Sequence, residues 1–304
     1  MENLQKIELN VLRFLRDISN PFIDAITEAI TFLGEQYIVI LILAILYFAL
    51  DKKLGKKMAY IIFTSTCVNA SIKGIAKRPR PFVVDPTLDS VRKQTATGHS
   101  FPSGHTQSAT TTYISLAYNN TFKKKIIWSI AVSLSILIGL SRLVLAVHYP
   151  TDVIVGLILG IVCAIGLTLL FNKFANNVKN EHILYVITLA IFIPFCFIFY
   201  KSSYEEIYIY KGFYTGTAMF AGFILGSLIE SKYVNFDNKV SIKIKLLRLL
   251  GVGVLYALIQ FGLKPILPKE NIFMDMFRYF MVTFSILGLY PLIFKKTLFK
   301  KIEE

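Results

Sequence analysis

Residues 152–172 read DVIVGLILGIVCAIGLTLLFN, and after Asp152 no charged side chain appears until Lys173. A run of this length matches the ~20 apolar residues with which an α-helix crosses the hydrocarbon core of a bilayer. The stretches 183–200, 214–230 and 279–294 repeat the pattern. Of the 304 residues, 55% are hydrophobic and 17% charged, and the mean hydropathy is +0.58. A soluble domain of this size carries more charge than that.

Working outward, the sequence predicts an all-α protein, a polytopic transmembrane helix bundle of about nine spanning helices preceded by an N-terminal interfacial helix. The spans fall near 36–50, 58–76, 104–119, 126–147, 152–172, 183–200, 213–230, 250–267 and 273–294. In 4–18, Leu4, Ile7, Val11, Phe14, Leu15 and Ile18 form one helical stripe, with Glu8, Arg13 and Arg16 elsewhere. That is the pattern of a helix lying in the membrane interface. The apolar stretch 22–33 carries Asp24 and Glu28 and reads as a short re-entrant or tilted helix. No removable signal peptide is expected in residues 1–30.

The formal charge of +14 does not point to nucleic acid. A nucleic-acid binder gathers its basic residues on a soluble face, whereas here they lie between apolar spans. One set of connections holds Lys52, Lys53, Lys56 and Lys57, then Lys123 to Lys125, Lys173 and Lys179, the run from Lys232 to Arg248, and Lys295, Lys296, Lys300 and Lys301. The lysine and arginine bias makes this side cytoplasmic. The loops 77–103, 148–151, 201–212 and 268–272 are then extracytoplasmic, the N-terminus outside and the C-terminus inside. Cys67, Cys163 and Cys196 fall within spans without metal-type spacing and read as small buried apolar residues. The Tyr-rich stretch 204–214 reads as an interfacial aromatic belt.

Three segments fall at helix ends on the same expected face: Lys73 to Pro81, Phe101 to His105, and Ser141-Arg142 followed by His148 and Asp152. A phosphate needs cationic donors and backbone N–H groups around its oxygens, a nucleophile in line with the leaving group, and an acid to protonate that group. Lys73 and Arg80, seven apart, lie two turns along nearly one helix face and can close on one anion. The alternative is that these cations snorkel to headgroups. Pro102 and Gly104 suit the start of a helix whose first N–H groups, from Ser103, Gly104 and His105, can face an anion. The alternative is a plain helix cap with an interfacial histidine. His148 stands four before Asp152, so the carboxylate can hold one ring nitrogen and leave the other to attack. Arg142 is six before His148, off-face on an ideal helix, and an interfacial Arg/His/Asp network is the alternative there.

At these residues the chain resembles the type 2 phosphatidic-acid phosphatase superfamily, with the signature Lys-x6-Arg-Pro, Pro-Ser-Gly-His and Ser-Arg-x5-His-x3-Asp. It is matched at Lys73, Arg80, Pro81, Pro102, Ser103, Gly104, His105, Ser141, Arg142, His148 and Asp152. The resemblance implies a metal-independent, cofactor-free phosphatase in which His148 attacks phosphorus, Asp152 supports it and His105 protonates the leaving oxygen. Lys73, Arg80, Ser103, Gly104 and Arg142 would hold the phosphate oxygens. The implied substrate is a lipid phosphate or isoprenoid pyrophosphate, met at the outer face of a bacterial cell membrane. A sugar-phosphate phosphatase, as in the glucose-6-phosphatase branch, a lipid phosphotransferase, or a non-enzymatic lipid transporter or scaffold remain alternatives. Residues 1–175 would form the catalytic core and 176–304 accessory transmembrane helices.

Overall fold

A computed structural model describes residues 2–93, 96–120 and 124–300, and every regular element among them is helical. Lys123 and Lys301, counted above with the cytoplasmic lysines, lie outside the described residues. The helices are α1 (Glu2–Asp17), α2 (Pro21–Phe32), α3 (Gln36–Ile45), α4 (Lys52–Ala76), the short α5 (Pro81–Val84), α6 (Gly104–Asn119), α7 (Lys124–Val144) and α8 (Pro150–Phe174). Then follow α9 (Val178–Ile198), the short α10 (Tyr204–Tyr208), α11 (Lys211–Ile229), α12 (Ile242–Ala257), α13 (Ile272–Phe284) and the short α14 (Tyr290–Ile293). Their starts are written in the sequence. Asn20 accepts from the N–H groups of Phe22 and Ile23 ahead of Pro21, and Asn177 and Asn271 cap α9 and α13 in the same way.

Among the described residues, six helical runs are long and apolar enough to cross a membrane: Pro21–Leu50, Lys124–Val144, Pro150–Phe174, Val178–Ile198, Lys211–Val234 and Ile272–Ile293. The chain is a multi-pass membrane protein. The other three expected spans, in α4, α6 and α12, are helical but do not qualify by length and composition. α4 is lysine-laden at its start, α6 has only 16 residues and is rich in Ser and Thr, and α12 carries Lys243, Lys245 and Arg248. The count of about nine therefore is not established. The expected re-entrant stretch 22–33 belongs to α2, which shares the run Pro21–Leu50 with α3.

The chain forms two compact units: Met1–Val39 with Val68–Thr168, and Ile40–Cys67 with Leu169–Glu304. In the first, glycines let α6, α7 and α8 approach closely. A Cβ on Gly156 would lie 3.0 Å from Ser103 O, and one on Gly139 would lie 2.8 Å from Val153 Cγ1. Small residues at such crossings are how membrane helices gain packing energy. Of the predicted stripe, Leu4, Ile7, Val11, Phe14 and, just past the end of α1, Ile18 are exposed and Leu15 is half-buried, while Leu9 and Leu12 are buried with Leu88, Ala146 and Tyr149. Most of the stripe is left uncovered by protein, as an interfacial helix requires.

In the second unit, Tyr60, Phe63, Phe171, Tyr185, Phe220 and Phe223 form an aromatic core. Arg248 is fully buried between the rings of Phe236 and Phe299 and donates to the carbonyls of Leu298 and Asp237. Glu230, also fully buried, pairs with Lys52 and Lys56. Within 204–214, Tyr208 is exposed, but Tyr204 donates to Asp275 and Tyr210 stacks on Phe199, so part of that stretch packs inward. Among the described residues no disulfide forms, with Cys67 and Cys163 buried and Cys196 half-buried.

Candidate active site

The first segment departs from the helical expectation. α4 ends at Ala76, Lys77 turns left-handed at φ 50, and Arg80 caps α5 in extended backbone. Arg78 and Arg80 each precede a proline, which disfavours the helical region for both. Lys73 and Arg80 converge nonetheless, through the 97–100 loop. Lys73 Nζ donates to His99 O and Ser100 O, both at 3.0 Å. Arg80 donates through Nε to Gly98 O at 3.1 Å and through NH2 to Thr97 O at 2.8 Å. His99 is a loop residue that meets Lys73 through its carbonyl.

The second segment starts a helix at Gly104, where the expected span 104–119 begins, with Pro102 ahead of the helix rather than in its first turn. Ser103 is the N-cap, its Oγ accepting from Thr106 N at 3.4 Å and Thr106 Oγ1 at 2.8 Å. The N–H of Ser103 is committed to Asp152 O at 2.9 Å. The amides facing outward from this end are therefore those of the first turn, Gly104 and His105, which have no acceptor within their own helix. A Cβ on Gly104 would lie 3.8 Å from Lys73 Cε, so the bare backbone is what lets the lysine stem pass.

In the third segment, α7 ends at Val144 and Ala146 adopts φ 53, folding the chain back before α8 begins at Pro150. This turn interrupts the helix between Arg142 and His148, so their off-face spacing on an ideal helix does not apply. Arg142 is 1% exposed, and its NH1 donates to Thr31 Oγ1 at 2.8 Å. Its Nε has no acceptor among the described residues. His148 is 2% exposed, with Nδ1 3.3 Å from Asp152 Oδ2 and Nε2 3.2 Å from Arg80 NH1. The tautomer with its proton on Nδ1 satisfies both contacts, the Nε2 lone pair then facing the guanidinium. His105 lies within electrostatic reach of both His148 and Arg142.

Electrostatics follow from this crowding. Burial, reinforced by the charges of Arg80, Lys73 and Arg142, pushes the His148 imidazolium well below the ordinary histidine range. Burial also brings Arg80 down to about 10, against the opposing pull of Asp152.

Several residues join the site without having been singled out in the sequence. Ser100 Oγ donates to Asp152 Oδ2 and lies 3.4 Å from His148 Nδ1. Asp152 Oδ2 also accepts from Tyr149 N at 2.9 Å. Arg78 donates from NH1 to Asp152 Oδ1 at 2.9 Å and from NH2 to Glu8, and Glu8 Oε1 accepts from Thr151 N at 2.9 Å. A buried acid from α1 thus stands behind the aspartate. Arg78 lay within the quoted segment and Ser100 beside the next one. Glu8 and Thr31 gave no signal beyond a polar position on an amphipathic helix.

A family model described as the PAP2 superfamily matches residues 55–176, and one described as its phosphatase transmembrane extension matches 214–301. The chain is 30% identical over 174 residues to phosphatidylglycerophosphatase B of Bacillus subtilis, covering 54% of this chain and 80% of that protein. It is 30% identical over 163 residues to undecaprenyl-diphosphatase BcrC of the same organism, covering 53% and 79%. The crystal structure of a transmembrane PAP2 type phosphatidylglycerolphosphate phosphatase from Bacillus subtilis aligns with a TM-score of 0.50 at 25% identity, over 57% of this chain and 88% of that one. All three converging segments lie inside the first matched stretch, and with four fifths of a phosphatase relative aligned the chain belongs to the PAP2 superfamily.

Proposed function

We propose that this chain is an integral membrane phosphatase that hydrolyses a lipid phosphate or isoprenoid diphosphate through a phosphohistidine on His148, without a metal. The observation that carries this reading is a histidine held by a carboxylate on one ring nitrogen while the other faces Arg80, beside the buried Arg142 with its unsatisfied Nε. A buried guanidinium N–H without an acceptor is costly, and a phosphate oxygen supplies one.

In the first half-reaction the Nε2 lone pair of His148 attacks phosphorus, a P–N bond forms, and the P–O bond to the leaving group breaks. His105 gives its proton to the departing oxygen. In the second half, water attacks the phosphohistidine, its proton passes to His105, and Nε2 is released with its lone pair. Lys73, Arg80, Arg142, the amides of Gly104 and His105 and the hydroxyl of Ser103, whose own amide is engaged by Asp152, hold the phosphoryl oxygens as their charge redistributes. Asp152, fixed by Ser100, Tyr149 and Arg78, orients His148 and balances its charge after attack. The names of the relatives, a phosphatidylglycerophosphatase and an undecaprenyl-diphosphatase, agree with a substrate whose tail stays in the bilayer.

The site would open to the extracytoplasmic face and the C-terminus to the cytoplasm, from the lysine bias. Residues 1–175 would carry the chemistry and 176–304 accessory helices. Phosphate release from diacylglycerol phosphates, polyprenyl diphosphates and sugar phosphates tests the reading. Release from the lipid substrates, abolished in His148→Ala and indifferent to EDTA, is expected. A clear preference for soluble sugar phosphates, rescue by added metal after EDTA, or normal turnover by His148→Ala overturns it.

A further inference from the structure

The loop between the first and second segments carries Arg92, which is outside the signature. Ser90 Oγ donates to Ala146 O at 2.9 Å and Val91 N to Leu145 O at 3.1 Å, so this loop is tied to the chain just ahead of His148. Arg92 follows with φ 64. That left-handed conformation is uncommon for a long side chain, and backbone strain of this kind gathers at functional sites. Its NH2 donates to Glu35 Oε1 at 2.6 Å.

Glu35 stands in the corner between α2 and α3, and that corner abuts the site. Thr31 there receives Arg142, and a Cβ on Gly34 would lie 3.5 Å from His105 O. The side chains of Arg92 and Glu35 keep 21% and 14% of their surface exposed, whereas Arg80, Arg142 and His148 are buried. The pair thus occupies an open margin of the site.

Glu35, which holds Arg92, directly follows Gly34, the residue packed on the backbone of His105, whereas the guanidinium against His148 Nε2 is that of Arg80; the charge of Arg92 also acts on His105. Arg92 therefore belongs to the side of His105, where the leaving group departs. A monophosphate ester offers that side one alkoxide oxygen and an apolar chain, which need no guanidinium. A diphosphate offers a second phosphate, which suits the planar fork of an arginine.

We propose that Arg92, steadied by Glu35, is a second phosphate-binding residue on the leaving-group side and makes a lipid diphosphate the favoured substrate over the corresponding monophosphate. This rests on the phosphatase reading above. The terminal phosphoryl group passes to His148, the bridging P–O bond breaks, His105 protonates the bridging oxygen, and the lipid monophosphate leaves from Arg92.

The test measures kcat/KM of the purified full-length chain on farnesyl diphosphate and on farnesyl phosphate and takes their ratio, so that a loss of folded enzyme cancels. Wild type is expected to favour the diphosphate, and Arg92→Gln to lower the ratio about tenfold or more. The double variant Arg92→Gln/Glu35→Gln, which leaves no carboxylate unpaired, is expected to show the same lowered ratio. An unchanged ratio in both variants overturns the assignment of Arg92 while leaving the phosphatase reading in place. Absence of phosphate release by wild type from either substrate overturns both.

Discussion

As the proposed nucleophile, His148 would work only while its ring is neutral, because the protonated ring has no lone pair for phosphorus. Burial and the surrounding cations depress its proton affinity, so the nucleophile stays competent below the ordinary histidine value of about 6.5. Activity is lost as pH falls through that depressed value, which places the acid limb of kcat/KM below about 6.5. Lys73 is one of the cations responsible. Lys73→Met removes its charge, the proton affinity of His148 rises, and the acid limb is expected to move to higher pH even as the rate falls. A kcat/KM profile against pH, corrected for ionisation of the substrate, checks this. A limb that stays in place shows that the lysine charge does not reach the nucleophile.

At the scale of elements, the site depends on how closely α6 packs on α8, because α6 begins with Gly104 and His105. A Cβ on Gly160 would lie 2.5 Å from Thr110 Cβ and 3.0 Å from Gln107 O. Gly160→Val is expected to cost about 1–3 kcal/mol by overpacking and to reduce kcat as the start of α6 is displaced. Gly166 has nothing within 4 Å of its would-be Cβ, so Gly166→Ala should stay within about 0.5 kcal/mol of wild type. Thermal unfolding in detergent separates the two, and equal melting points would refute the packing account. The helices themselves were legible, because apolar runs and Asn or Ser caps are local signals. The turns that bring the segments together were not. Lys77, Arg92 and Ala146 all take positive φ without being glycine, and only tertiary contacts select that conformation. Glu8 was hidden for a related reason, since its partners Arg78 and Thr151 lie far along the chain.

For the whole molecule, the lysine asymmetry predicts an orientation, with the 77–103 loop outside, that labelling can check. Asp89 lies in the loop between the first two segments with its side chain 88% exposed. With Cys67, Cys163 and Cys196 replaced, Asp89→Cys should react in intact cells with a membrane-impermeant maleimide. Reaction only after permeabilisation would reverse the topology and place the site at the cytoplasmic face. The contact between Glu8 and Thr151 also has a consequence in time. These residues are 143 apart in sequence, and at ~5–20 residues per second a ribosome needs roughly seven to thirty seconds to travel from one to the other. Glu8 must wait that long for Thr151, so the clamp behind Asp152 closes only when about half of the chain has been made, after α1 to α7 have been synthesised and before α9 to α14 exist.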